Sequence, residues 1–212
     1  MKLPAKYRLG SIFVPKELPS RTKPWRYNGN RGAENDQVSL LKGIGMKIDT
    51  GPGQRCRWVD DSADGFAAAQ ANKGFTAEIR MQVLKSTSGS RGMDFETCVR
   101  DEGGGFRRYF ITVTKTSVHW YGEIRECIAK NLNNHAGMHT YRLSVRKEGI
   151  VQIYRDAKLL ALRGPRRDPD RMAKAKGSYL QWGEGAGRSE ADALVQHVAY
   201  DLGGPYRPGG TK

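Results

Sequence analysis

At 212 residues the chain suits one domain of the larger β-sandwich size, and its 38% hydrophobic content is spread widely enough to build a core. A formal charge of +14 favours anions in general, whether nucleic acid, anionic lipid or acidic polysaccharide, without choosing among them. Three cysteines (Cys56, Cys98, Cys127), with no CxxC or Cys/His ligand spacing, exclude a disulfide scaffold and argue against a structural zinc site.

Met1 to about Asn35 is rich in Pro, Lys and Arg and has few periodic apolar positions. It reads as an irregular basic arm (1–35) with one short strand near Ser11 to Val14, anchored by Trp25 and Tyr27. The arm has no apolar run long enough for a leader, and no transmembrane stretch occurs elsewhere. The compartment is extracellular or periplasmic if a leader has been removed, and cytoplasmic otherwise.

From Leu40 the pattern turns regular. SLLKGIGMKIDT reads as a strand or hairpin ended by Gly51-Pro52-Gly53, and Cys56 to Val59 as a short strand before the acidic turn Asp60-Asp61-Ser62. GFAAAQANKG is a short helix or turn. GFTAEIRMQVL then alternates, with Phe75, Ala77, Ile79, Met81 and Val83 on one face and Thr76, Glu78, Arg80 and Gln82 on the other. MDFETCVR keeps the same period. After the DEGGG turn come RRYFITVT, SVHWYGE, HTYRLSVR, and a hairpin of GIVQIYRD with KLLAL. RDPDRMAKAKG is a charged loop, and GSYLQWGEG and ADALVQHVAYD close the series. Residues 36–203 thus predict an all-β domain, a two-sheet antiparallel jelly-roll sandwich, and 204–212 a flexible tail. The core expected from the alternation is Ile79, Met81, Phe95, Val99, Ile111, Val113, Leu143, Val145, Val151 and Ile153, with Trp58, Trp120 and Trp182. The basic clusters at Arg107-Arg108, Arg163 to Arg171 and Lys174 to Lys176 read as solvated surface.

Side chains at i and i+2 share a strand face. The polar phases of the strands therefore gather Glu78, Arg80 and Gln82; Asp94 and Glu96; Arg108 and Thr112; His119, Tyr121 and, next in phase, Glu123; Arg142; and Gln152 and Tyr154. As one concave face these suit a sugar, whose hydroxyls take paired hydrogen bonds while its C–H faces pack on aromatic rings. The alternative is a solvated face held by ion pairs of Glu78 or Glu96 with Arg80, Arg108 or Arg142. Asp94 and Glu96 stand about 6–7 Å apart between Cα atoms by strand rise. That separation permits the acid and base, or acid and nucleophile, of a glycosidase. It equally permits ion pairing or ligand hydrogen bonding. Catalytic candidates are Asp94, Glu96, Glu123 and His119. His119 could serve in binding or proton transfer, whereas His139, in the apolar phase, reads as a satisfied core histidine. No nucleophile elbow, HExxH or phosphate loop occurs. Asn131, Asn133 and Asn134 read as turn residues or as a loop touching ligand. Asp192, opening the last strand, is the one candidate for a Ca2+ ligand; no other cofactor is indicated.

GFTAEIRMQV, RGMDFETCVRDEG, HTYRLSVRKEGIVQIYRDAKLL, YLQWGEG and ADALVQHVAYD together resemble the concanavalin A-like lectin/glucanase superfamily, and within it the laminin G-like domains of bacterial type. The likeness spans roughly Leu40 to Tyr200. Ala157 stands where such hairpins usually carry glycine. The resemblance implies two curved antiparallel sheets with ligand on the concave face or the loop rim. Glucanases of the superfamily carry ExDxxE. This chain has Met93-Asp94-Phe95-Glu96-Thr97-Cys98, half of that pattern, so no catalytic residue carries over. Fold alone does not establish function.

Three functions stay open. The first is a lectin-like module for carbohydrate, including acidic polysaccharide, through Glu78, Arg80, Asp94, Glu96, Arg108, His119, Tyr121, Arg142 and Tyr154. The second is a glycoside hydrolase or polysaccharide lyase using the carboxylates. The third is an assembly domain whose arm docks a protein partner. Nucleic acid is expected only as a non-specific, salt-sensitive partner.

Overall fold

The computed structural model describes residues 12–13, 16–29, 34–51, 53–60, 65–87, 91–100, 105–167, 177–184 and 190–208. Residues 1–11, 14–15 and 30–33 of the arm, the acidic turn after Asp60, the DEGGG turn before Gly105, the charged loop 168–176 and the last four residues lie outside them, and so do Arg171 and the Lys174 to Lys176 cluster.

The strands form two antiparallel sheets facing each other, a jelly-roll sandwich as the alternation predicts. The first sheet has the order β13 (Lys158–Arg163), β12 (Val151–Arg155), β11 (His139–Val145), β6 (Phe75–Ser86), β16 (Ala191–Asp201), β4 (Gly45–Asp49) and β3 (Val38–Leu41), and β1 (Ile12–Phe13) also pairs with β16. The second has β10 (Arg125–Ala129), β9 (Val118–Tyr121), β8 (Phe106–Val113), β7 (Met93–Arg100), β15 (Tyr179–Glu184), β5 (Cys56–Asp60) and β2 (Arg26–Tyr27), with β14 (Arg166–Arg167) on β8.

All ten core residues expected from the period-2 pattern are buried, in one cluster between the sheets. Every second side chain of an alternating strand must face inward, and burying that face drives the sheets together. The tryptophans join them. Trp58 and Trp182 are a cross-strand pair, stacked with centroids 4.5 Å apart, and Trp25 meets Trp182 edge-on at 5.9 Å. Trp58 Nε1 donates to Glu34 Oε1 at 2.6 Å, which satisfies the buried indole. Trp25 and Tyr27 thus do tie the arm to the domain.

GFAAAQANKG forms helix α2 (Gly65–Asn72), whose Phe66 packs on Phe75 and Tyr200, each at 4.8 Å. A strand the alternation does not reveal is β10: Arg125-Glu126-Cys127-Ile128-Ala129 lacks a clean period, and its register with β9 shifts between Cys127 and Ala129. Glu123, read as next in phase after Tyr121, falls instead in the exposed turn between β9 and β10. Gly204 and Tyr206 are held rather than loose: Thr76 Oγ1 donates to the Gly204 carbonyl at 2.9 Å and accepts the Tyr206 N–H at 2.8 Å. No helix among the described residues is long and apolar enough to cross a membrane.

Candidate functional site

The polar phases do not make one face. Glu78, Arg80, Arg142 and Tyr154 lie on the first sheet, and Asp94, Glu96, Arg108, His119 and Tyr121 on the second. With both apolar phases spent on the shared core, the two polar sets sit on opposite outer faces. Strand pairing, which a single sequence does not reveal, decides this.

The first-sheet set is closed on itself. Arg142 donates from Nε and Nη2 to Glu78 Oε2 at 2.8 and 2.6 Å, and His197 Nε2 sits 2.9 Å from Glu78 Oε1. Arg80 donates to Gln196 Oε1 and Thr140 Oγ1 at 2.6 and 3.0 Å. A bulge between Val195 and His197 makes this arrangement. The extra residue flips the phase of β16, so Val195 and Val198 both point into the core and His197 turns outward to Glu78. Tyr154 is buried opposite Arg142.

On the second sheet the register builds two adjacent rows. One runs Arg57, Gly183, Asp94, Thr112, His119, Cys127 across β5, β15, β7, β8, β9 and β10. The next places Gln181 beside Glu96, Glu96 beside Phe110, and Tyr121 beside Arg125. Beyond them Arg108 and Tyr179 flank Cys98. Three of these polar side chains are packed rather than solvated: Thr112 is 1% exposed, Glu96 2% and Gln181 9%.

The two carboxylates of the i, i+2 pair have unlike environments. Glu96 takes a two-pronged ion pair from Arg108, Nε to Oε1 at 2.8 Å and Nη2 to Oε2 at 3.0 Å, and Oε1 also accepts the Tyr179 hydroxyl at 2.7 Å. Burial works against the Arg108 charge, and the Glu96 carboxylate more than offsets it, so the guanidinium is held charged. Burial and the Glu96 charge together push the Tyr179 phenol up. Asp94 accepts the Thr112 hydroxyl, at 2.6 Å to Oδ1. Burial pushes its carboxyl up to about 7. The Thr112 bond resists, nearby Glu184 and Glu96 add to the rise, and Arg57 opposes it. Arg57 reaches this site because position 183 has no side chain. A Cβ there would run into the Cys56 carbonyl oxygen and come within 2.7 Å of Arg57 Cα, and the backbone φ is +118°.

Beside the carboxylates stands a layered stack. The Phe110 and Tyr121 rings are parallel within 18° at 4.3 Å, with the Arg108 guanidinium 5.3 Å from the Phe110 centroid and Arg125 4.5 Å from that of Tyr121. Burial raises the Tyr121 phenol against the pull of its hydrogen bond to Thr112. Burial, and then Arg125, lower His119, whose Nε2 lies 2.8 Å from Ser117 Oγ. His139 is satisfied, as expected, but at a strand end: Nδ1 bonds Asp156 Oδ2 at 2.9 Å and Nε2 the Asn133 carbonyl at 2.9 Å. Asn134 is buried loop chemistry, donating to the Thr114 and Ser117 carbonyls.

Arg57, Phe110, Gln181, Tyr179 and Arg125 belong to this face and were not singled out from the sequence. Phe110 shares the phase of Arg108 and Thr112, so its signal was present: an aromatic on a polar phase. Arg125 had none, since its strand lacks alternation. Asp192 faces Asp49 across β16 and β4, with Lys47 bonded to Asp49 at 2.7 Å. Among the described residues no three His, Cys, Asp or Glu side chains stand together to hold a metal ion.

No sequence-family profile matches the chain, and no curated protein matches it in sequence. Solved structures do match in fold. A carbohydrate esterase of the Shiga toxin-encoding bacteriophage phi24B superposes with a TM-score of 0.62 at 14% identity, over 89% of this chain and 95% of that one. The β-glucanase of Bacillus licheniformis gives 0.50 at 16%, over 84% and 91%. An alginate lyase of Pseudomonas aeruginosa gives 0.51 at 10%, over 78% and 86%. At these identities the likeness shows the concanavalin A-like jelly-roll fold alone.

Proposed function

We propose that this protein binds a carbohydrate chain along the outer face of β5, β15, β7, β8, β9 and β10. The observation that carries the reading is the packed polar band itself. A merely solvated strand face leaves its charges exposed and independently hydrated. Here Thr112, Glu96 and Gln181 are buried side by side around a half-buried Asp94, next to the Arg–Phe–Tyr–Arg stack. The half-exposed groups above this layer, Asp94, His119 and Tyr121, are backed by it and can meet sugar hydroxyls, and the rings supply apolar surface for sugar C–H groups. A carboxyl raised to about 7 is the mark of a working site more often than of a passive surface. The fold neighbours that are named as carbohydrate esterase, β-glucanase and alginate lyase agree in substrate class. The likeness of HTYRL and IYRDAKLL to laminin G-like strands agrees with a binding module.

A second reading, cleavage of the bound chain, is favoured by the Asp94 carboxyl alone. A carboxyl pushed up to about 7 suits proton exchange near neutrality, whereas Glu96 is engaged by Arg108 and Tyr179.

The test is a glycan array at low and high salt with product analysis of the best binders, repeated for Tyr121→Ala and Asp94→Asn. Selective binding that persists at high salt and falls about tenfold, roughly 1.4 kcal/mol, in each variant supports the binding face. Products that disappear in Asp94→Asn promote the second reading. Binding untouched by both substitutions places the ligand elsewhere and overturns the proposal.

A further inference from the structure

Where the band meets the sheet edge there is an open recess of about 500 Å³. β9 and β10 form its floor through His119 and Cys127, which face each other in register, and the segments at 116–117 and 130–131 form its walls. Its charged lining is cationic, Arg125 and Lys130, and no carboxylate among the described residues lines it. The nearest acid in sequence, Glu126, is turned to the other side of β10, where it pairs with Arg163 of β13.

The rest of the lining is polar and internally ordered. Thr114 Oγ1 accepts the Thr116 and Ser117 backbone N–H groups at 3.3 and 3.0 Å and lies 2.7 Å from Ser117 Oγ, which lies 2.8 Å from His119 Nε2. This relay fixes the Ser117 hydroxyl and the imidazole. Asn131, held at φ +58°, adds an amide. Arg125 is shared: its guanidinium lies over Tyr121 on one side and lines the recess on the other. A ligand running along the band therefore arrives at the recess without a break.

We propose that this recess is a subsite for the anionic substituent of a sugar, a carboxylate or a sulfate ester, on the glycan that the band binds. The assignment rests on the carbohydrate reading above and deepens it to an acidic polysaccharide. Two cations beside an amide and hydroxyls, with no acid among the described lining residues to repel the ligand, match an oxyanion. A neutral sugar gains little from them.

Cys127 supplies the measurement. It is the exposed thiol of the three and lines the recess, whereas Cys56 and Cys98 are buried. Its alkylation rate in the folded protein is followed with oligogalacturonate, a sulfated oligosaccharide, cello-oligosaccharide or inorganic sulfate, at constant ionic strength, and affinities are measured for wild type and Lys130→Gln. The expected result is protection by the acidic oligosaccharides but not by cello-oligosaccharide or inorganic sulfate. Lys130→Gln should lower acidic-oligosaccharide affinity roughly three- to tenfold and leave neutral binding unchanged. Whichever acidic probe protects better identifies carboxylate or sulfate. Equal affinity for acidic and neutral chains, unmoved by Lys130→Gln, overturns the subsite while the carbohydrate face stands. Equal protection by inorganic sulfate reduces the recess to a general anion patch and also overturns it. Failure of every oligosaccharide to bind removes the carbohydrate reading as well.

Discussion

Asp94 and Glu96 stand two residues apart on one face of β7, yet burial pushes the carboxyl of the first up to about 7 while the second is the clamped centre of an ion pair. The difference comes from their neighbours across the strands. Glu96 meets Arg108 and Tyr179, and Asp94 meets a threonine hydroxyl and the gap at Gly183. A carboxylate pair read from spacing alone predicts equivalent partners; the pairing of strands makes them unequal.

Glu96 should therefore matter chiefly to stability. In Glu96→Gln the Arg108 guanidinium is left buried without its counter-charge, a loss of about 3–5 kcal/mol. Urea unfolding should show it as a lower midpoint at unchanged slope. The paired variant Glu96→Leu with Arg108→Met should recover much of the loss, because both charges go together. A Glu96→Gln midpoint within about 1 kcal/mol of wild type would mean the pair behaves as a solvated one.

Asp94 should give stability a pH dependence of definite sign. An unfolded aspartate titrates near 4 and the folded one at about 7. The native state thus holds the proton more tightly between those values. Its contribution is fully present below about pH 4 and is lost as pH rises through 7. Wild type should lose stability relative to Asp94→Asn across that window, by at most a few kcal/mol at roughly 1.4 per unit, and the difference should level off above it. Urea unfolding of both proteins at a series of pH values checks this; a constant difference would refute the raised carboxyl.

Much of the fold was legible in the sequence because the core is periodic. Every second residue of Phe75–Val83 is buried, and no tertiary knowledge is needed to see that. The site was legible only as residue types. Glu78 and Arg142 look as recognition-grade as Glu96 and Arg108, and which pair shares a face with His119 depends on long-range pairing. His197 was invisible for a local reason: one extra residue at Gln196 reverses the phase of β16. Arg125 was invisible because the bulge in β10 hides the strand.

Gly183 ties the fold to the site. With φ +118° and the Cys56 carbonyl and Arg57 Cα against it, position 183 accepts no side chain without moving β5. Gly183→Ala should break the β15–β5 register beside the Trp58–Trp182 pair and push Arg57 away from Asp94. Loss of several kcal/mol is expected, on the order of other core strains. The Asp94 carboxyl, followed by carbon NMR in whatever folded protein remains, should titrate still higher without the Arg57 charge. A fully stable Gly183→Ala with an unmoved Asp94 would show that the glycine serves neither purpose.

The last prediction separates the two faces. Glu78 joins Arg142 and His197 in a buried cluster on the outside of the first sheet, across the whole core from Asp94. Glu78→Gln leaves the Arg142 charge uncompensated and should destabilise by about 3–5 kcal/mol, as Glu96→Gln does. Below its melting range, however, it should bind glycan with wild-type affinity, whereas Tyr121→Ala should keep most of its stability and lose affinity. If Glu78→Gln instead abolished binding at a temperature where the variant is folded, the ligand would have to lie on the first sheet. The packed polar band on the second sheet would then be structural, like the Glu78 cluster itself.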